Sequence, residues 1–169
     1  PRVPLTFRLA TEQDIPLFEQ IYEWPSILRE HAKMIRNGNL AILALDGDRL
    51  VGLEMASIWT ESWSAAQSID MIVARCFSVV PHEDAYLEAL YVAPEYRGKG
   101  VATSLGLHLL HALHERGVER VFTVVSVKNI ASLRTSWSIG GQIAGEMTVY
   151  QVANWLYVRI TQPESVPDA

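Results

Sequence analysis

The chain has 169 residues, 49% of them hydrophobic and 20% charged, with a formal net charge of −5. That length supports one domain with a sizeable core, and the acidic balance argues against general nucleic-acid binding. No apolar run is long enough to span a bilayer and no basic-then-apolar leader precedes the first element, so no membrane association is expected; the single cysteine, Cys76, excludes an internal disulfide, reads as a buried small hydrophobe and fits a cytoplasmic location.

Leu5 to Ala10 reads as a first strand. Thr11 with Asp14 three residues on marks a helix start; that helix carries Ile15, Leu17, Phe18 and Ile21 and ends near Trp24-Pro25. Ser26 is the expected cap of a second helix with Ile27, Leu28 and Ile35 on its apolar side, stopped at Asn37-Gly38. Leu40 to Leu45 and Arg49 to Trp59 form a hairpin about the turn Asp46-Gly47-Asp48. Thr60 to Pro81 has no clear period and reads as an insertion that either shapes a binding site or covers a sheet edge.

Ala85 to Val92 is the next strand, stopped by Pro94, which has no N–H for a ladder. Gly98 and Gly100 follow between Arg97 and Lys99, and an apolar helical period runs from Val101 to Arg116, ended by Gly117. Glu119 to Val127 is nearly continuous in apolar residues, the pattern of a strand buried on both faces and parallel to the strand before the helix. Asn129 opens a helix through Trp137, closed at Gly140-Gly141, and Gln142 to Tyr150 pairs with Trp155 to Ile160 as a final hairpin. A single domain is expected over residues 1–161, with 162–169 a flexible tail.

Charge is unevenly placed. Val51 to Tyr96 holds seven acids and one base, whereas Arg97 to Arg134 holds six bases and two acids. One half suits a polyanion and the other a cation, although charge blocks commonly just face water.

The strand, glycine-bearing loop and helix from Tyr86 to Leu105 form an anion site in outline. Glycine lets a backbone approach a ligand closely, and the first N–H groups of a helix lack internal partners. A phosphate-binding P-loop is excluded, because Ala93 and Gly100 stand where it needs Gly and Ser or Thr; a dinucleotide fingerprint meets Thr103 at its third glycine. Arg97-Gly98-Lys99-Gly100-Val101-Ala102, preceded by Val92-Ala93-Pro94-Glu95-Tyr96, resembles the acetyl-CoA pyrophosphate loop of the GNAT superfamily of N-acetyltransferases, whose pattern is Gln/Arg-x-x-Gly-x-Gly/Ala. The element order is similar to the GNAT fold over nearly the whole chain. The resemblance implies an α/β (mixed α+β) architecture with a central twisted mixed sheet of about six to seven strands and helices on both faces.

It also implies acetyl-CoA as co-substrate, held at the diphosphate by the N–H groups of Gly98, Lys99, Gly100, Val101, Ala102 and Thr103, with charge from Arg97 and Lys99. Leu90, Tyr91 and Val92 are expected to offer backbone groups to the pantetheine arm and acyl carbonyl, and Asn129 to bond the pantetheine amides, although Asn129 alone is equally a helix cap. Glu88, on the strand, is the candidate general base; alternation puts it on the face of Leu90 and Val92 unless a bulge intervenes. The family's usual acid is a tyrosine, and Ser136 stands at the matching position, with Tyr91, Tyr150 or Tyr157 as substitutes. Trp24, Glu54, Trp63 and Glu88 are the acceptor-side candidates, and the acidic block favours a cationic acceptor. Leu87-Glu88-Ala89-Leu90-Tyr91-Val92 resembles the corresponding strand of aminoglycoside 6′-N-acetyltransferases over six residues.

His108, His111 and His114 lie three apart on one helix, but no Cys or further carboxylate completes a ligand set, so a solvated face and no metal are expected. The expected function is acetyl transfer to a primary amine of a small cationic molecule or a peptide. The alternatives are a non-catalytic acyl-CoA-binding sensor that has lost its acid, and an NAD-binding fragment. The partners implied are acetyl-CoA and an amine acceptor; a homodimer is left open.

Overall fold

Leu40 to Leu45 and, apart from Glu54, Leu50 to Ala56 are apolar with little alternation, and strands of that kind need cover on both faces. The computed structural model, which describes residues 4–58, 84–152 and 155–161, supplies it. β1 (Thr6–Leu9), β2 (Leu40–Asp46), β3 (Arg49–Ile58), β4 (Asp84–Val92) and β5 (Arg120–Phe122) form one sheet in that order. All neighbours are antiparallel except β4 and β5, which are parallel.

α1 (Pro25–Arg36) and a 3₁₀ segment (Glu12–Gln20) cover one face, where Phe18 and Ile35 meet Leu43, Leu53 and Met55. α2 (Val101–His114) covers the other, with Val101, Leu105 and Leu109 against Ile42, Ala44 and Leu87. Gly52 lets α2 come close to β3: a Cβ there would lie 3.0 Å from Leu105 Cδ1 and 3.2 Å from Val101 Cγ1.

The first two helices depart from expectation in informative ways. Pro16 lacks the N–H that an α-helix would bond to Glu12, and Glu12–Gln20 is wound as 3₁₀. Its start is fixed by Asp14, which accepts from the Thr11 N–H at 2.8 Å and from both terminal nitrogens of Arg8 at 2.7 and 2.6 Å. The Arg8 hydrogen bonds hold the Asp14 carboxyl down at about 2. α1 is capped by Trp24 rather than Ser26, because Pro25 takes the first helical position and forces the preceding residue into extended backbone.

The largest correction concerns the strand expected from Glu119 to Val127. Only Arg120–Phe122 pairs with β4; Val124 is exposed and Val127 is 74% exposed, so the run is not buried on both faces. At Thr123 the ladder gives way to a side chain, whose Oγ1 donates to the Leu87 carbonyl at 3.2 Å. α3 (Ile130–Ser138) follows, and among the described residues β6 (Glu146–Val152) and β7 (Trp155–Thr161) pair only with each other. The central sheet therefore has five strands rather than six to seven among the described residues, since three residues of β5 are too short a template to carry the hairpin. The insertion at Thr60 to Pro81, Trp63 and the tail 162–169 lie outside the described residues. Among the described residues no helix is long and apolar enough to cross a membrane.

Candidate functional site

Two irregularities in β4 make the site. The first lies on its β3 edge. Leu53 pairs with Tyr91 and Met55 with Glu88, so Glu54 alone stands against Ala89 and Leu90. This is a β-bulge, and Ala89 takes up the extra residue at φ 54°, a left-handed conformation that costs a non-glycine residue about 1–3 kcal/mol. The bulge resets the alternation. Leu87 packs with the α2-side core and Ala89 with the α1-side core. Glu88 thereby faces the α1 side, while Tyr91 and Val92 pack against the α2-side core. The shared face that simple alternation would give is thus broken.

The second irregularity lies on the β5 edge. After Tyr86↔Phe122 the two parallel strands part, and a cavity of about 270 Å³ opens between them. Its walls are Glu54, residues 86–90 of β4, Thr123 to Ser126 beyond β5, and Asn129, Ser132, Thr135, Ser136 and Ile139 around α3.

Glu88 enters this cavity from the α1 side. Ser57 Oγ donates to its Oε1 at 2.5 Å, and burial raises its pKa, an effect the Ser57 bond partly offsets. Tyr22 lies close enough that the Glu88 charge, after burial, pushes the phenol up. Its ring tilts against His31 at 4.7 Å. Burial lowers the pKa of His31, keeping the imidazole neutral at neutral pH. The Tyr22 hydroxyl and His31 Nδ1 are buried without hydrogen-bond partners among the described residues. Tyr22, His31 and Ser57 were not anticipated. The available signal was a polar residue in an apolar pattern: His31 shares the inner stripe of α1 with Leu28, Ala32 and Ile35, and Ser57 follows Met55 and Ala56 near the end of β3.

The loop after β4 has the shape an anion needs. Gly98 and Gly100 adopt φ of 67° and 81°, and among the described residues no atom beyond the adjoining residues lies within 4 Å of where either Cβ would stand. Gly100 caps α2 with no side-chain hydrogen bond, and the first helical bond is Ser104 N–H to the Gly100 carbonyl at 3.0 Å. The N–H groups of Val101, Ala102 and Thr103 therefore start the helix ahead of any intrahelical partner. Val101 adds only backbone, since its side chain is in the core. Arg97 turns back, its Nε donating to the Val92 carbonyl at 2.9 Å, and Lys99 Nζ lies 5.5 Å from the centre of the Tyr96 ring. Tyr96 in turn donates to Asp46, and Arg49 pairs with Glu95, so the loop is tied to the β2–β3 turn. The side chains of Thr103 and Ser138 meet at 2.9 Å and join the start of α2 to the end of α3.

The remaining candidates separate. Leu90 and Asn129 line the cavity, and Asn129 also caps α3 by accepting from the Ser132 N–H at 3.2 Å. Ser136 lines it too; its carbonyl accepts from the Gly141 N–H at 2.9 Å, and a Cβ on Gly141 would come within 2.8 Å of that oxygen. Tyr91 packs on the core and Tyr150 is exposed on the β6–β7 hairpin; neither lines the cavity. Trp24 is 68% exposed at the start of α1, also off the cavity wall. Of the α2 histidines, His108 stacks on Phe7 with ring centres 5.0 Å apart and His111 lies 3.5 Å from Glu115. Among the described residues no three His, Cys, Asp or Glu side chains gather as a metal set would.

Residues 6–135 match the model of the acetyltransferase (GNAT) family. No curated protein sequence matches the chain. Among solved structures, the aminoglycoside N-acetyltransferase AAC(6')-Iy, bound to a bisubstrate analogue of CoA and monomethyl-acetylneamine, is similar with a TM-score of 0.66 at 15% identity, over 88% of this chain and 98% of that one. An aminoglycoside acetyltransferase from an uncultured soil metagenomic sample, solved with sisomicin, gives 0.63 at 17% identity over 90% and 95%. An aminoglycoside 6'-N-acetyltransferase from Acinetobacter baumannii gives 0.62 at 20% identity over 90% and 99%.

Proposed function

The chain belongs to the acetyltransferase (GNAT) family, the acetyl-CoA-dependent N-acetyltransferases, and from that premise we propose that it acetylates a primary amine of a small cationic acceptor of the aminoglycoside type. The observation that carries this reading is Glu88: a half-buried carboxylate on the α1 side of the cavity, held by Ser57 and near enough to Tyr22 for its charge to act on the phenol. An alkylammonium, with a pKa of about 10.4, must lose a proton before it attacks a thioester, and a carboxylate whose pKa is raised by burial is a better base for that step than a solvated one.

The cofactor side fits the same reading. An open αL cradle at Gly98 and Gly100 and the start of α2, which no side chain caps, suit a diphosphate. The hydroxyl and amide groups of α3 along the cavity suit a pantetheine arm. The neighbouring structures solved with an acetylneamine bisubstrate analogue and with sisomicin support a polyamine acceptor.

The test is thiol release from acetyl-CoA with sisomicin, spermidine and a peptide bearing a free N-terminus. Release is expected with sisomicin and, in Glu88→Gln, a fall of about a hundredfold or more with acetyl-CoA affinity unchanged. Acetyl-CoA binding without release on any amine would favour the non-catalytic module instead.

A further inference from the structure

Glu54, an acceptor-side candidate in the sequence, is a buried carboxyl paired with Ile42 on the α2 side of the sheet, the face opposite Glu88. It lies in the middle of β3 with 5% of its surface exposed, and its Oε2 has no hydrogen-bond partner among the described residues. An ionised carboxylate is costly in such a place. Burial pushes its pKa up to about 7, so near neutral pH much of the population carries the proton.

Its position is defined by α2 and α3. A Cβ on Gly106 of α2 would stand 3.4 Å from Glu54 Oε2 and 3.0 Å from Ile139 Cδ1, so the missing side chain at Gly106 leaves the room that the carboxyl occupies. Glu54 and Ile139 line the same cavity as Glu88. The two carboxyls approach it from opposite faces of the sheet: Glu88 beside Ser57 and Tyr22 on the α1 side, Glu54 beside Gly106 on the α2 side. The helix whose start would hold the diphosphate is α2, so a cofactor held there would lie on the Glu54 side of the sheet and leave the Glu88 side to the amine.

Of the other groups on the cavity wall, the Tyr86 phenol lies two residues before Glu88 on the same strand and shares its parity, on the face away from Glu54. The segment after β5 and α3 contribute hydroxyl, amide and apolar groups, with no charged side chain, and α2 contributes Gly106. A serine hydroxyl such as that of Ser136 is too weak an acid for a thiolate.

We propose that Glu54 is the general acid of the transfer, giving its proton to the departing thiol sulfur. This role rests on the acetyl transfer proposed for the cavity. The ammonium gives one proton to the Glu88 carboxylate, the free amine nitrogen bonds to the acyl carbon, and the C–S bond breaks with its electron pair going to sulfur. The Glu54 proton goes to that sulfur. The second proton lost by the new amide nitrogen returns through solvent to Glu54, and the one on Glu88 leaves, so one proton is released for each acetyl group moved. Two carboxyls with separate environments thus take opposite roles.

The test compares wild type, Glu54→Gln and Glu88→Gln as full chains. The proposal expects Glu54→Gln to lower kcat at least about tenfold with acetyl-CoA affinity within twofold, and to lose the fall in rate that wild type shows as pH rises through about 7. It expects the loss to shrink when the donor is an acetyl ester of an acidic aryl thiol, which leaves without a proton. Infrared difference spectra supply a readout apart from turnover: a protonated carboxyl band near pH 7, displaced by CoA and absent from Glu54→Gln. An equal loss with both donors, an unchanged rate and pH profile, or no such band would overturn the assignment while leaving acetyl transfer standing. Should Glu54→Gln not fold, the band in wild type and its displacement by CoA decide the matter. Absence of thiol release from wild type with every amine would overturn the transferase reading, and this role with it.

Discussion

β4 has two edges, and they behave differently. Against β3 it is paired from Ala85 to Val92 and interrupted once, at the bulge; against β5 it is paired for three residues and then abandoned. The first edge holds the sheet together. The second gives up ladder bonds, and the cavity takes their place. The bulge serves both, because it turns Glu88 to the α1 side and leaves Glu54 facing two residues instead of one. A site at this position comes from stopping a regular pattern on one side of a strand while keeping it on the other.

Gly98→Glu adds a negative side chain where φ is 67° and space is open, so it is expected to weaken acetyl-CoA by more than about a hundredfold, while the melting temperature falls by the few degrees that a left-handed non-glycine residue costs. Calorimetric titration with a thermal melt checks both.

The next effect belongs to the residue opposite the bulge. Below about pH 4.5 Glu54 is protonated in folded and unfolded chains alike. As pH rises from there to about 7 the unfolded chain ionises and the folded one does not, so native stability falls; above about 7 the loss is constant. Glu54→Gln removes that term and is expected to gain roughly 3 kcal/mol on wild type between pH 4 and pH 8, read by denaturant titration at each pH.

Ala89→Gly sharpens the bulge itself. Relief of the left-handed strain is expected to stabilise the fold by up to about 1 kcal/mol, less the entropy glycine adds to the unfolded chain. Loss of stability on that change would mean that Ala89 is not strained. The smallest effect is at the parting of the strands, where Thr123→Val deletes the bond to the Leu87 carbonyl and is expected to cost about 1 kcal/mol in the same titrations.

Local chemistry made the loop legible. Pro94, Gly98, Gly100 and the apolar period from Val101 each act within a few residues, and the strand, turn and helix follow in the expected order. The length of β5 was not legible. Val121 to Val127 is apolar enough to be a strand, but where it leaves its neighbour depends on β4, and β4 is shaped by its pairing with β3. The face of Glu88 was hidden for the same reason: alternation is read along one strand, and a bulge is a property of two. Glu54 and Ser57 were visible as polar residues in an apolar strand, a pattern that signals a buried polar group without saying toward which side it points. The capping of α1 at Trp24 was present in the dipeptide Trp24-Pro25, where proline decides the matter over Ser26.

A crystal structure with bound CoA decides where the cofactor lies. The thiol sulfur is expected in the cavity between β4 and the segment after β5, with the diphosphate against the N–H groups of Val101 to Thr103 and the Glu54 carboxyl on the sulfur side of the sheet. A diphosphate seated away from the start of α2, or a sulfur outside that cavity, would contradict this placement.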